Sequence, residues 1–292
     1  MTTAYHPGSL AVQDRVGVRR LADHVGRSIT HGIRPIAAAF LEAQPMLVLG
    51  AADEAGRMWA SLLTGRPGFT RATGPHTISV AAALPEGTSD GAPVGTIALD
   101  PRTRRRMRLN GIARRSARGF TVEAEQVFSN CPKYLQKREL CGFAEEPEPG
   151  GGAVRHGAAL TPDQQRSVRT ADTFFVATAA PDGLDTSHRG GNPGFVTLHS
   201  PTELSWPDYA GNAMFLTLGN LEADGRAGLL FLDWRTGTTL QLSGLAHTEY
   251  GPEGRVVRFR LDHVTETPGA SPLRWSEPEY SPVNPPLPKD RP

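Results

Sequence analysis

The stretch Ser61-Leu-Leu-Thr-Gly-Arg-Pro-Gly-Phe-Thr70 returns, altered in its polar centre, as Ser187-His-Arg-Gly-Gly-Asn-Pro-Gly-Phe-Val196. A second pair follows at a similar offset: Leu99-Asp-Pro-Arg-Thr-Arg-Arg-Arg-Met-Arg-Leu-Asn-Gly-Ile-Ala113 against Leu232-Asp-Trp-Arg-Thr-Gly-Thr-Thr-Leu-Gln-Leu-Ser-Gly-Leu-Ala246. Two echoes in the same order predict one fold used twice, with a cleft where the copies meet. Only the second copy carries His188, Arg189 and the Gly190-Gly191 pair. Function is therefore sought in that asymmetry.

Outward from the repeats, Met46-Leu-Val-Leu49 is closed by Asp53-Glu-Ala-Gly56 and followed at hairpin distance by Met58-Trp-Ala-Ser-Leu-Leu63. This predicts an antiparallel pair. The same grammar recurs in Thr173-Phe-Phe-Val-Ala-Thr178, the turn Pro181-Asp-Gly183 and a strand ending near the second Pro-Gly-Phe. Further strands are expected at 203–206, 227–232 and 239–243, and a short helix within 212–222. Near the N-terminus, Val16, Leu21, Val25, Ile29, Ile33 and Ile36 recur at roughly helical spacing, broken at Gly32 and Pro35, so a helix, a break and a second helix are expected between Val12 and Phe40.

The fold class expected is mainly β with a few helices (α+β), built as two tandem β-barrels. The domains are an N-terminal unit over 1–144 with leading helices, a linker over 145–160 and a C-terminal unit over 161–267. A Pro-rich tail over 268–292 is expected to be disordered or extended over the surface. The linker assignment rests on Glu145-Glu-Pro-Glu-Pro-Gly-Gly-Gly152, which has no face to bury.

The 292 residues hold 31 Lys plus Arg against 30 Asp plus Glu. Such balance gives no global pull toward nucleic acid or an anionic membrane, so any anion site must be local. No uninterrupted apolar stretch approaches the roughly 20 residues of a bilayer helix, and the start lacks an apolar run after basic residues, so a soluble cytoplasmic protein is expected. Cys131 and Cys141, the two cysteines, are read as free thiols and not as a metal site. Nucleophile-elbow, zinc-protease and Walker signatures are absent.

Ser187-His-Arg-Gly-Gly-Asn192 is the most chemically suggestive segment. A phosphate is held by a charged fork with short hydroxyl and backbone donors, and glycine permits close backbone approach. Ser187, His188 and Arg189 offer donors and Gly190 the approach; a polar strand end with a solvated Arg189 is the plainer alternative. The first copy has Leu62 and Leu63 at the aligned positions, suited to a wall or to the core. Trp206 and Tyr209, with Asn212 nearby, suit either the flat wall of an aromatic cofactor site or the edge of a core. In an extended Arg102–Arg108 run, Arg104, Arg106 and Arg108 share one face: a solvated outer face or a second anion contact. Cys131 beside Lys133 suits a reactive thiol or a packing role.

In these words and their order, the second half resembles the FMN-binding split barrel of the pyridoxamine 5′-phosphate oxidase superfamily. The matching stretches are Phe174-Phe-Val-Ala-Thr178, Ser187-His-Arg-Gly-Gly-Asn-Pro-Gly-Phe195, Trp206-Pro-Asp-Tyr-Ala-Gly-Asn212, Thr217-Leu-Gly-Asn220 and Ala227-Gly-Leu-Leu-Phe231. The first half, with Trp59 to Phe69 and Asn130-Cys-Pro-Lys-Tyr134, is similar to the companion domain of tandem members. The resemblance implies FMN bound between two barrels, here as an internal pseudo-dimer. It places Ser187, His188, Arg189 and Gly190 on the strand meeting the FMN phosphate and ribityl chain, Trp206 and Asp208 on the next strand, and Asn212 in a phosphate-binding loop. Relatives carry a cation just after that Gly-Asn, where this chain has Ala213-Met214. The segment gripping a vitamin B6 phosphate has no counterpart in the tail.

The expected function is thus an FMN-dependent oxidoreductase acting on a small organic molecule by hydride or electron transfer at flavin N5. An external flavin reductase or other electron donor would serve it, and the family pattern allows a further homodimer. The alternatives are a non-catalytic flavin-, haem- or metabolite-binding protein and a deazaflavin-dependent reductase. No metal, nucleic-acid or membrane partner is expected.

Overall fold

The computed structural model describes residues 4–144, 152–181, 183–252 and 254–287. The chain is mainly β with five α-helices among those residues. The first sheet contains β1 (Met46–Ala52), β2 (Met58–Thr64), β3 (Thr70–Ala72), β4 (Thr77–Val80), β5 (Pro93–Asp100), β6 (Arg105–Ser116) and β7 (Gly119–Ser129). A short β8 (Leu140–Phe143) and β9 (Arg155–Gly157) precede the second sheet. That sheet contains β10 (Thr173–Ala180), β11 (Gly183–Gly190), β12 (Thr197–Ser200), β13 (Glu203–Pro207), β14 (Arg226–Leu232), β15 (Thr239–Gly251) and β16 (Gly254–Thr267); β17 (Leu273–Trp275) lies in the tail.

The strand orders are β2-β1-β5-β6-β7-β4-β3 and β11-β10-β14-β15-β16-β13-β12. Substituting each strand of the first half by its counterpart in the second reproduces the order. The likeness reaches single residues. Each long hairpin slips register at the same repeat position, between Asn110 and Gly111 and between Ser243 and Gly244.

Neither sheet closes into a barrel, which corrects the expected cylinders. The physical reason is at the end strands: β2 and β11 pack on the opposite half instead of returning to their own sheet. Covering an exposed strand with the other half removes the hazard of a free edge without closure. Side-chain alternation makes the two-sided burial possible. Leu47 and Leu49 enter the first half's core while Met46 and Val48 enter the core between halves. Phe174 and Val176 likewise face the second core, and Phe175 and Ala177 the shared one.

At this seam two glycines admit backbone from the opposite half. A Cβ on Gly95 would stand 2.7 Å from Asp185 backbone, and one on Gly228 would stand 2.6 Å from the Met58 carbonyl oxygen. These contacts set the spacing of the halves.

Three helices lead the chain, where a helix, break and helix were expected: α1 (Pro7–Val16), α2 (Arg19–Gly26) and α3 (Pro35–Ala43). The extra break falls at Gly17, which caps α1 at φ 74°. A capping box starts α4 (Pro162–Thr170), and α5 (Leu216–Ala223) supplies the expected short helix. Most of the Glu145–Gly152 linker segment, and Asp182 of the expected turn, lie outside the described residues.

Part of the tail, expected to be disordered or extended over the surface, is instead built into the core, while several residues between 277 and 286 are exposed. Its β17 pairs with β8, burying Leu273 and Trp275 in the shared core beside Leu62, Leu140 and Phe143. Apolar Leu273 and Trp275, overlooked among the prolines, gain more from burial than from solvent.

Gly95→Ala is expected to destabilise the protein by about 1–3 kcal/mol, because backbone and not a flexible side chain meets the added methyl. Gly142→Ala, with nothing within 4 Å, leaves stability unchanged. Urea denaturation of both variants measures the difference.

Candidate functional site

Strand β6 alternates between two environments: Met107 and Leu109 enter the first core, while Arg106, Arg108 and Asn110 face the seam. Opposite them lies β11. Their side chains, with Asn130, Cys131, Lys133 and Tyr134 from the first half and Gly190, Phe195, Pro207, Tyr209, Gly211 and Asn212 from the second, surround a cleft of about 70 Å³. Both halves therefore supply its walls.

Four of the residues expected from sequence meet here: His188, Arg189, Gly190 and Asn212. The Arg189 guanidinium is held by Asp208 at 3.4 Å, and Asp208 also pairs with Arg255 at 2.9 Å. Asp208 thus orients a cation and does not itself line this cleft. Gly190 permits contact between halves, since a Cβ there would lie 2.0 Å from the Tyr134 carbonyl oxygen. Asn212 accepts from the Met214 backbone N–H through Oδ1.

Ser187 and Trp206 are elsewhere. The Ser187 hydroxyl is fully buried against Thr217, with 2.7 Å between oxygens. Trp206 packs edge-on to Phe174 at 5.1 Å in the second core, and takes the core alternative.

Arg106 and Arg108 turn inward and do not form a solvated face, while Arg104, expected beside them, precedes β6 in left-handed backbone and donates to the Leu135 carbonyl and Glu279. Arg108 Nη1 donates to both oxygens of Asp185, at 3.1 and 2.8 Å, and Asn110 adds a third bond to that carboxylate. Arg106 has no carboxylate partner among the described residues; it donates to His188 Nδ1 and, at 3.4 Å, to the Lys133 carbonyl oxygen. Burial first, then repulsion from Arg108 and Arg189, pushes the Arg106 guanidinium down to about 9. Arg189 is likewise lowered, by burial above all.

His188 is held well below the ordinary imidazole range by burial, followed by the neighbouring guanidiniums. It is neutral at physiological pH. With Nδ1 accepting from Arg106, its proton resides on Nε2, a buried atom without a partner. The Nε–H groups of Arg106 and Arg189 are also unpartnered. Buried donors left unsatisfied cost about 1–3 kcal/mol each, and a bound anion would relieve both this cost and the repulsion among cations.

Tyr134 spans the cleft. Its hydroxyl donates to the Ala210 carbonyl at 2.9 Å and its ring meets Tyr209 at 5.1 Å between centroids. Its backbone sits at φ 63°, in the left-handed region disfavoured for a bulky residue. The sequence signal for the inward arginines was their two-residue spacing; Lys133 was read only as a neighbour of Cys131, and Tyr134 carried only the resemblance.

No protein-family model matches the chain, and no curated protein matches it. Among solved structures, a HupZ variant from Group A Streptococcus is 13% identical, covers 37% of this chain and 98% of its own, with a TM-score of 0.31. The FAD binding protein from Mycobacterium smegmatis is 12% identical over 39% of this chain and 97% of its own, at 0.27. A protein related to general stress protein 26, of the pyridoxinephosphate oxidase family, from Clostridium acetobutylicum is 13% identical over 36% of this chain and 92% of its own, at 0.25.

Arg106→Met is expected to stabilise the ligand-free protein at neutral pH by about 1–4 kcal/mol, since it removes a buried charge lacking a counter-ion. Arg106 binds its proton less readily folded than unfolded, so its penalty is complete below about 9 and fades as pH rises beyond. The variant's advantage, read from denaturation curves, must shrink over that same window. A second expectation concerns Cys131, which lines the cationic cleft, against exposed Cys141. Relative to Cys141, Cys131 reacts several-fold faster with anionic iodoacetate than with neutral iodoacetamide, and inorganic phosphate slows it. Peptide mapping of the alkylated protein measures both.

Proposed function

We propose that the chain is an FMN-dependent oxidoreductase that holds the cofactor phosphate in the seam cleft and acts on a small organic molecule. The observation carrying this reading is the convergence of Arg106, Arg108, Lys133 and Arg189 from both halves on one cleft. Such a field suits a phosphate dianion. In this reading residues 1–144 and 161–267 face one another as a pseudo-dimer, with 145–160 between them. An external reductase or donor supplies electrons.

The fit is good at the phosphate end. The cleft's donors suit a phosphate group, and at about 70 Å³ it lies well below the roughly 300–1,000 Å³ of whole-ligand sites, so a tricyclic ring needs further space. Two further cavities, of about 50 and 160 Å³, follow along β11; the first shares Arg108, Arg189, Tyr209, Gly211 and Asn212 with the cleft. The buried Arg108–Asp185 pair stands in that groove. A ring laid along it requires these side chains to part.

When bound, FMN supplies hydride or electron-pair transfer at N5. The chain's own residues bind and orient. Arg189, steadied by Asp208, and Arg106, steadied by His188, present fixed donors to the phosphate. His188, neutral, offers an Nε2–H without adding a fifth positive charge. The Tyr134–Tyr209 pair shields one wall from water.

A second reading, a non-catalytic holder of a phosphorylated metabolite, is favoured by two observations. The cleft's donors suit a phosphate while a ring needs further space, and Met214, where relatives carry a cation, is buried under the leading helices with Tyr5. Arg189→Ala is expected to weaken FMN binding roughly 10- to 150-fold, the loss of a charge-assisted contact of about 1.5–3 kcal/mol. Arg118→Ala, exposed and distant, leaves it unchanged. Fluorescence titration with FMN checks both. Equal affinity in the Arg189 variant places the phosphate elsewhere. Absence of FMN binding together with protection of Cys131 from alkylation by inorganic phosphate supports the second reading.

A further inference from the structure

A second cavity, of about 490 Å³, lies away from the seam cleft and has the opposite polarity. It is bounded by α4, the start of β10, the turn between β14 and β15, and the tail segment after β17. Its volume is in the range of small-molecule sites. Asp163, Asp172, Asp233, Glu266 and Glu277 line it against two guanidiniums, Arg138 and Arg235. The seam cleft, by contrast, has four cationic side chains and no carboxylate in its lining.

Trp234 and Trp275 stand edge to face in this cavity, 5.6 Å between centroids and 85° between planes. One face of Trp234 already carries a cation, for the Arg138 guanidinium lies 4.7 Å from a Trp234 ring centroid. Arg138 is itself neutralised by Asp172 Oδ2 at 2.6 Å. Two polar atoms of the lining are left over: Asp172 Oδ1 is an acceptor without a donor, and Trp275 Nε1 a donor without an acceptor. Their residues are 6% and 8% exposed. Acidic groups, indole rings and a spare carboxylate oxygen are the chemistry that recognises a cation with an apolar body.

We propose that this cavity binds a small organic cation, a protonated amine on an apolar or aromatic body, with its N–H groups toward the Asp172 side and its body against the tryptophans. Exposed Glu277, for which no ion pair is seen among the described residues, and Asp163, which shares its charge with Arg166 at 2.9 Å, add negative charge at the rim. This inference is independent of what occupies the seam cleft.

The test compares two probes of the same shape and opposite charge, phenethylammonium and 3-phenylpropanoate, titrated calorimetrically into the full chain at pH 7. The ammonium is expected to bind saturably at one site, at least tenfold more tightly than the carboxylate. Asp163→Asn combined with Glu277→Gln alters surface carboxylates without touching the core; it is expected to weaken the ammonium at least threefold with an unchanged Tm. Trp275→Phe keeps a ring but offers a cation a weaker aromatic face, and its ammonium affinity is expected to fall. Absence of saturable ammonium binding into the millimolar range overturns the proposal. So does equal binding of the two probes, or an ammonium affinity indifferent to the double neutralisation.

Discussion

The Asp185 backbone lies directly on Gly95, and the Met58–Trp59 backbone on Gly228, so each half presses its outermost strand into the other with no side chain between. This contact fixes the distance between sheets to the tolerance of close packing, where a misplaced methyl is felt. Everything at the candidate site depends on it. Arg106 and Arg108 belong to one half, His188 and Arg189 to the other, and Asp185 meets Arg108 at 2.8 Å only because the strands touch. A buried ion pair of this kind contributes little net stability, yet removing one partner costs about 3–5 kcal/mol. The pair therefore ties β6 of one half to β11 of the other at this register.

Much of this was legible from residue spacing. The repeated words located corresponding strands, and apolar runs such as Met46–Leu49 and Thr173–Thr178 marked strands buried on both faces. The absence of closure was not legible. An end strand buried by a second sheet has the same apolar content as one buried by its own barrel, so composition does not separate the two. The tail misled for a related reason: prolines signal irregular backbone, but Leu273 and Trp275 fill the shared core through a three-residue strand.

His188, Arg189 and Gly190, singled out because cations and glycines cluster in one segment, line the seam cleft together with Asn212 from a separate loop. Trp206, left open between cofactor wall and core edge, packs with Phe174 in the second core. Residue chemistry left Arg106 and Arg108 undecided between solvent and seam. Two-residue spacing assigns side chains to a face, and which face meets the other half is a tertiary fact. Lys133 and Tyr134 follow β7 in irregular backbone, where no period directs a side chain.

The two copies have diverged in opposite senses. The first presents Leu62 and Leu63 where the second has His188 and Arg189, and Leu62 is covered by the pairing of β8 with β17. Across the same copy of the seam, Gln241 takes the place of Arg108 and donates to the Ala60 carbonyl and Ser61 hydroxyl, leaving no charge. That side is closed with apolar and neutral groups, the arrangement expected when stability alone is selected. The other side keeps repelling guanidiniums, unpartnered donors and a tyrosine in left-handed backbone. Each of these opposes folding, and for His188, Arg189 and Arg108 the opposite copy has the neutral Leu62, Leu63 and Gln241. An anion binding there would return free energy to the fold, and this is the physical basis of the ligand proposed for the seam cleft.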